Sequence, residues 1–188
     1  TITGEGSLLN RQQHFYENNL NQFGAQVVSN DGFLPLLFQG QLKGVEIHVD
    51  GSESSQYISG LLMGLPLLDQ STKLCVKNPT STPYIEMTLE TLKQFGVKIL
   101  HDKFKEYSIR GNQKYTSCNY IVESDWSSAG CWLVAAALGN KIEIKGLSLE
   151  SKQADLKLLN ALKAANCEVT SSENKIVVDG TKRHGFEF

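Results

Sequence analysis

The triplet Ser54-Ser55-Gln56 sits just behind Asp50-Gly51, where the β-rich run Ile47-His48-Val49 gives way to an apolar stretch of helical length. A helix beginning there presents free N–H groups and the positive end of its dipole, which favour an anion; two Ser hydroxyls add donors. The Gln56 amide can engage a neighbouring hydroxyl or carboxylate. The same spacing also suits a plain N-cap, with Ser54 or Ser55 closing the first turn and no ligand present.

A second start follows at Ser81-Thr82-Pro83-Tyr84. Pro83 suits the first turn of a helix, Ser81 is a natural N-cap and a second phosphate donor, and Tyr84 either contacts a ligand or covers the core. Asp125-Trp126-Ser127-Ser128 resembles the first start, but its acidic residue favours capping by Asp125 or Ser127 over anion binding. In Ser151-Lys152-Gln153-Ala154-Asp155, Lys152 is either a phosphate contact or a solvated side chain.

Nothing points to metal or nucleophilic catalysis. His14, His48, His101 and His184 are isolated, with His48 alternating within a β run as a structural residue. Lys103 to Glu106 reads as a solvated hairpin turn. Cys75, Cys118, Cys131 and Cys167 are scattered, form no CxxC pair and do not cluster with His, which speaks against a metal site and a disulfide framework. Buried free thiols in a reducing cytosol are expected.

The elements that must hold these residues repeat. Leu20-Asn-Gln-Phe-Gly24-Ala-Gln-Val27 recurs as Leu92-Lys-Gln-Phe-Gly96-Val-Lys-Ile99 and, more weakly, as Leu162-Lys-Ala-Ala-Asn166-Cys-Glu-Val169. Each copy reads as a helix end, a left-handed cap at Gly24, Gly96 or Asn166, and the start of a strand. Each then runs into a hairpin that ends at Gly40, Gly111 or Gly180. A second repeated piece sets Ile47 to Gln56 against Ile121 to Ala129: a short β-rich run, a Ser pair and an apolar helix. These helices, roughly 55–65 and 128–138, are apolar on nearly every side and are expected inside a core. Strands follow at Lys73–Lys77 and Lys141–Lys145. The unit is thus β-α-β-α-β-β, with copy two at roughly 45–111 and copy three at roughly 119–180. Copy one has only its second half, a helix near Leu9 to Phe23 and its hairpin, so the chain reads as an excised piece of a longer protein.

Composition bounds the partners. Of 188 residues, 40% are hydrophobic and 20% charged, with 16 Gly and 4 Pro, which is globular and excludes disorder and collagen. A net charge of -2 supplies no basic field for nucleic acid. The longest apolar stretch, Gly60 to Leu68, is too short to span a bilayer, and no secretory signal opens the chain. No nucleic-acid or membrane partner is expected.

The same residues resemble a known family. Asp50-Gly-Ser-Glu-Ser-Ser-Gln-Tyr-Ile-Ser-Gly-Leu-Leu-Met63 is similar to the DGSxSSQ helix segment of the EPSP synthases (3-phosphoshikimate 1-carboxyvinyltransferases). Pro83-Tyr-Ile-Glu-Met-Thr-Leu89, followed by Gln94-Phe-Gly-Val97, resembles their PYIxxT…FGV stretch. Tyr120 to Ala129 resembles their YxVExDxSSA segment, and Ser151 to Asp155 their QxD helix start. Four segments in order over the whole chain make the resemblance specific to somewhat under half of such an enzyme.

The resemblance implies an α/β (α+β) fold of repeated β-α-β-α-β-β units, the inside-out α/β barrel of the enolpyruvyl transferases. Residues 1–122 would belong to the shikimate 3-phosphate-binding domain, as one half unit and one whole unit. Residues 123–188 would be the first unit of the second domain. It further implies a cytoplasmic enzyme of aromatic amino-acid biosynthesis that moves the enolpyruvyl group of phosphoenolpyruvate onto shikimate 3-phosphate without metal or cofactor. Ser54, Ser55, Gln56, Ser81 and Tyr84 would bind shikimate 3-phosphate, with Gln56 close to phosphoenolpyruvate as well. The catalytic base and most cationic clamps would lie outside the chain, in the remainder of the enzyme, leaving the isolated chain inactive. Gly6-Ser7-Leu8 stands where the family usually carries an Arg that binds phosphoenolpyruvate, and Arg11 aligns with a different position. Two rival readings are a UDP-N-acetylglucosamine enolpyruvyl transferase-like enzyme, whose reactive Cys loop has no counterpart here, and a non-catalytic anion-binding module of the same fold.

Overall fold

The computed structural model describes residues 1–172 and 175–185. The chain divides into two compact units, Thr1–Cys118 and Asn119–Phe188.

The first unit opens with a 3-10 turn at Gly6–Asn10, helix α1 (His14–Leu20) and a second 3-10 turn at Asn21–Phe23. The single helix expected near Leu9 to Phe23 is therefore broken into three pieces. Gly24 ends the last piece at φ 81°, where a side chain would be strained, and Gly96 and Asn166 do the same at φ 85° and 59°. All three predicted left-handed caps are present. Strands β1 (Ala25–Asn30) and β2 (Phe33–Gly40) form an antiparallel hairpin around Asp31-Gly32, both at positive φ.

One complete β-α-β-α-β-β unit follows. Its elements are β3 (Glu46–Asp50), α2 (Ser55–Gly64), β4 (Thr72–Lys77), α3 (Thr82–Gln94), β5 (Ile99–Asp102) and β6 (Glu106–Ile109). The sheet order is β3-β4-β6-β5, with β3 parallel to β4 and the other pairs antiparallel. Strand alternation divides the faces. Ile47, Val49, Leu74, Val76, Tyr107 and Ile109 point inward and are buried with Ile58 and Leu62 of α2 and Ile85 and Leu92 of α3. Glu46, His48, Lys73, Cys75 and Glu106 occupy the opposite face. Phe15 stacks on Tyr57 at 4.3 Å between ring centroids and joins α1 to this core.

The second unit contains α4 (Trp126–Ala137), β7 (Lys141–Lys145), α5 (Leu158–Ala164), β8 (Glu168–Ser172) and β9 (Lys175–Asp179), with sheet order β7-β9-β8. This is the β4-β6-β5 order of the first unit with the leading strand missing. The β-rich run expected at 121–123 forms no strand, and Ile121 and Val122 are almost fully exposed. Propensity alone cannot hold a short strand that finds no partner to complete its ladder.

The expectation that the two apolar helices lie wholly inside a core is corrected. In α4, Trp126, Ala129, Leu133 and Ala136 are buried while Trp132, Val134 and the following Leu138 are exposed. In α2, Ile58 and Leu62 are buried and Met63 is exposed. Each unit covers one stripe of its helix, because a sheet packs against a single face. Among the described residues no helix is long and apolar enough to cross a membrane.

Candidate functional site

The parallel pairing of β3 with β4, which sets Asp50 opposite Lys77, brings the C-terminal ends of both strands to one edge of the sheet. Ligands in α/β architectures gather at such edges, where loops and helix N-termini emerge together. The loop after β3 is held tightly. Gly51 N–H donates to the Lys77 carbonyl at 2.8 Å, and a Cβ on Gly51 would lie 2.7 Å from Val76 Cγ1. Asp50 Oδ1 accepts from Ser52 N–H at 2.9 Å, and Oδ2 accepts from Asn78 Nδ2 at 3.3 Å. Thr80 Oγ1 donates to the Gly51 carbonyl at 2.8 Å. The loops that launch α2 and α3 are thereby tied to each other. The Ser52 hydroxyl and amide beside Asp50 hold its carboxyl below the usual range.

Ser54 is the N-cap of α2. Its backbone is extended, and its Oγ accepts from Gln56 N–H at 3.1 Å. The capping reading is therefore correct for Ser54, yet a hydroxyl that accepts one bond still has its own O–H to donate. Ser81 departs from expectation. It occupies the N-cap position of α3 in a left-handed conformation, φ 48° and ψ 43°, and its side chain makes no capping bond. Left-handed backbone at a non-Gly residue is costly, and such strain collects at functional sites. Pro83 sits in the first turn of α3, as its spacing predicts.

Ser54, Ser55, Gln56, Ser81 and Tyr84 all line one open cleft of about 520 Å³ between α2 and α3. Sequence reasoning missed the wall that sets its width. Ser59 of α2 and Thr88 of α3 meet there, with Oγ and Oγ1 2.8 Å apart, and Thr88 Oγ1 also donates to the Tyr84 carbonyl at 3.0 Å. Their helical positions, Ser59 four residues into α2 and Thr88 six residues into α3, are the only sequence signal for the contact. Glu53 is the one charged side chain among the described residues lining the cleft, and no Lys or Arg lines it. The cleft offers hydroxyls, an amide and two helix dipoles to an anion, without a counter-charge of its own.

The equivalent turn in the second unit is a capping structure. Asp125 accepts from the N–H groups of Ser127 and Ser128 at 3.0 and 3.1 Å, and the Ser128 hydroxyl donates to the same carboxylate. That hydroxyl and those amides hold the Asp125 carboxyl below the usual range. Gln153, singled out only as part of a helix start, is buried and does positional work. Its Oε1 accepts from Trp126 N–H and its Nε2 donates to the Ser124 carbonyl, both at 2.8 Å.

The four cysteines are free, but only Cys167 is buried; Cys118 and Cys131 are exposed and Cys75 is half-buried. The expectation that Cys and His stand apart is also corrected, because His48 and Cys75 are direct partners across β3 and β4.

The family model for EPSP synthase (3-phosphoshikimate 1-carboxyvinyltransferase) matches residues 1–188. The chain belongs to the EPSP synthase family. It is 34% identical to the 3-phosphoshikimate 1-carboxyvinyltransferase of Clostridium novyi (strain NT), over 98% of this chain and 43% of that protein. It is 39% identical to the protein of the same name from Buchnera aphidicola subsp. Cinara cedri, over 98% of this chain and 44% of that one. The chain thus spans less than half the length of these curated relatives. An EPSP synthase structure from Acinetobacter baumannii superposes with a TM-score of 0.72 at 24% identity, covering 95% of this chain and 42% of that one. The enolpyruvyl transferase NikO from Streptomyces tendae gives 0.61 at 16% identity, covering 85% and 40%. The mixed helix-and-sheet fold is accordingly that of the enolpyruvyl transferases. Gly6-Ser7-Leu8 lie in the 3-10 turn Gly6–Asn10, which carries no cation, and Arg11 follows it.

Proposed function

We propose that this chain is part of an enzyme that transfers the enolpyruvyl group of phosphoenolpyruvate to shikimate 3-phosphate, and that it supplies part of the shikimate 3-phosphate site. Ser54, Ser55, Gln56, Ser81 and Tyr84 are the binding residues in this reading, with the phosphate group at the two helix starts. Its chief support is that α2 and α3 open onto one cleft with Ser hydroxyls at both N-termini. The Ser54 O–H and the uncapped Ser81 hydroxyl would donate to phosphate oxygens. Each helix dipole adds about 0.3–1 kcal/mol at an exposed anion.

In the reaction a substrate hydroxyl gives up its proton and adds to C2 of phosphoenolpyruvate while the methylene carbon gains a proton, and the tetrahedral intermediate then loses phosphate and a methyl proton to restore the C=C bond. Acid–base groups and cationic clamps elsewhere in the enzyme would serve these steps. Residues 1–122 would form part of the shikimate 3-phosphate domain and 123–188 the first unit of the other domain, in a cytoplasmic enzyme. The test is a titration of the protein with shikimate 3-phosphate followed by amide chemical shifts. Shifts at 54–56 and 81–84 that vanish in a Ser54→Ala/Ser55→Ala variant support the site; no shifts, or shifts elsewhere, refute it. The absence of Lys and Arg from the cleft lining also suits a non-catalytic anion-binding module, which would bind the first ligand without turnover in the presence of phosphoenolpyruvate.

A further inference from the structure

The outer face of the four-stranded sheet, turned away from α2, α3 and the cleft, carries a second constellation. His48 on β3 lies directly opposite Cys75 on β4, and Glu46 lies two residues before His48 on the same face. One Glu46 carboxylate oxygen, a His48 ring nitrogen and Cys75 Sγ all lie within 4.8 Å of one another. Glu46 Oε1 and His48 Nε2 are 3.5 Å apart. Two donors bound tetrahedrally to one zinc ion at about 2.0–2.3 Å each stand about 3.5 Å apart, so this pair already has the required separation.

The backbone beneath the cluster is fixed. Gln22 grips His48 from the open edge of β3, its Oε1 accepting from His48 N–H at 3.3 Å and its Nε2 donating to the His48 carbonyl at 3.2 Å. The charge balance also suits a cation. Lys73 Nζ lies 3.5 Å from Glu46 and 3.6 Å from Glu106 Oε2, so one ammonium faces two carboxylates. Lys73 can keep Glu106 when Glu46 turns to a metal. Glu106, the cross-strand partner of Cys75 on β6, leaves that side of the thiol carboxylate-rich as well.

We infer that Glu46, His48 and Cys75 form a three-donor site for a single zinc(II) ion, clamping edge strand β3 to β4, with water in the fourth position. A sulfur, a nitrogen and a carboxylate oxygen form a donor set suited to zinc rather than to magnesium or calcium, which take oxygen alone. Binding replaces the S–H bond of Cys75 with a Zn–S bond and releases the proton to solvent.

Cobalt(II), which takes the same tetrahedral donors and is coloured, tests the site. The protein is stripped with a chelator and titrated with cobalt, and the near-ultraviolet thiolate-to-cobalt charge-transfer band is followed. The band should saturate at one cobalt per chain and bleach when zinc is added. It should persist in Cys118→Ser/Cys131→Ser and disappear in Cys75→Ser. In His48→Gln, an exposed change that leaves the core untouched, affinity should fall at least about tenfold, a loss that even an outer-sphere partner can cause. No band up to millimolar cobalt, a band retained in Cys75→Ser, or unchanged affinity in His48→Gln would overturn the site.

Discussion

Ser59 Oγ and Thr88 Oγ1 lie 2.8 Å apart and join α2 to α3 at the wall of the cleft. Thr88 also donates to the Tyr84 carbonyl, so the Ser59 hydroxyl supplies the proton between the two side chains. A half-buried hydrogen bond of this kind is worth about 1 kcal/mol net. Ser59→Ala should therefore lower stability by about that amount, and Thr88→Val by more, because it strips both bonds from one site. A double-mutant cycle in urea should give a coupling of about 0.5–1.5 kcal/mol. Additivity of the two changes would show that the pair does not couple the helices.

Ser54 and Ser81 should behave in opposite ways when substituted. Ser54 caps α2, so Ser54→Ala should cost about 1 kcal/mol. Ser81 caps nothing and holds φ 48°, so Ser81→Gly should be neutral or stabilising by up to about 1 kcal/mol. Both substitutions should weaken shikimate 3-phosphate binding. Thermal melts set beside ligand titrations separate the two effects, and a large stability loss in Ser81→Gly would contradict the strain argument.

Acid should loosen the start of α4. The Asp125 carboxyl is held below its ordinary value of 3.8 by the Ser128 hydroxyl and the amides of Ser128 and Ser127. A depressed folded value means that the carboxylate's contribution is present above 3.8 and is lost as pH falls below it toward the folded value. Fluorescence of Trp126, buried in the first turn of α4, should report the loss over that acid range. Asp125→Asn retains a capping oxygen without titrating and should flatten the profile. An unchanged acid profile in that variant would place the titration elsewhere.

The two tryptophans should report opposite surroundings. Trp126 is fully buried, whereas Trp132, on the uncovered stripe of α4, is 64% exposed. Trp126→Phe should leave red-shifted emission that acrylamide quenches readily, and Trp132→Phe should leave blue-shifted, protected emission. Protected emission from Trp132 would mean that something covers this face in solution. The uncovered stripe also leads us to expect faster amide exchange in Asn119–Phe188 than in Thr1–Cys118.

The 188-residue chain by itself should release no phosphate from phosphoenolpyruvate and shikimate 3-phosphate above background. The described lining of the cleft supplies no cation to stabilise a departing phosphate. Such groups are each worth several kcal/mol in the transition state. A malachite-green assay showing turnover would refute this.

What the sequence determined by itself was local. The left-handed caps at Gly24, Gly96 and Asn166 and the hairpins that follow them depend on neighbouring residues alone, so residue type and spacing carried them. The clustering of Ser54, Ser55 and Ser81 needed one further fact, that consecutive parallel strands put their helix starts on the same edge. Tertiary structure alone decided the rest. Gln153 orders Trp126 from 27 residues away. The run at 121–123 stays out of the sheet although its composition is that of a strand. His48 and Cys75 become neighbours only because helix α2 carries the chain back to lay β4 beside β3 in one particular register. Register is a long-range choice, set by which faces of helix and strand bury each other, and a single chain read residue by residue does not contain that pairing.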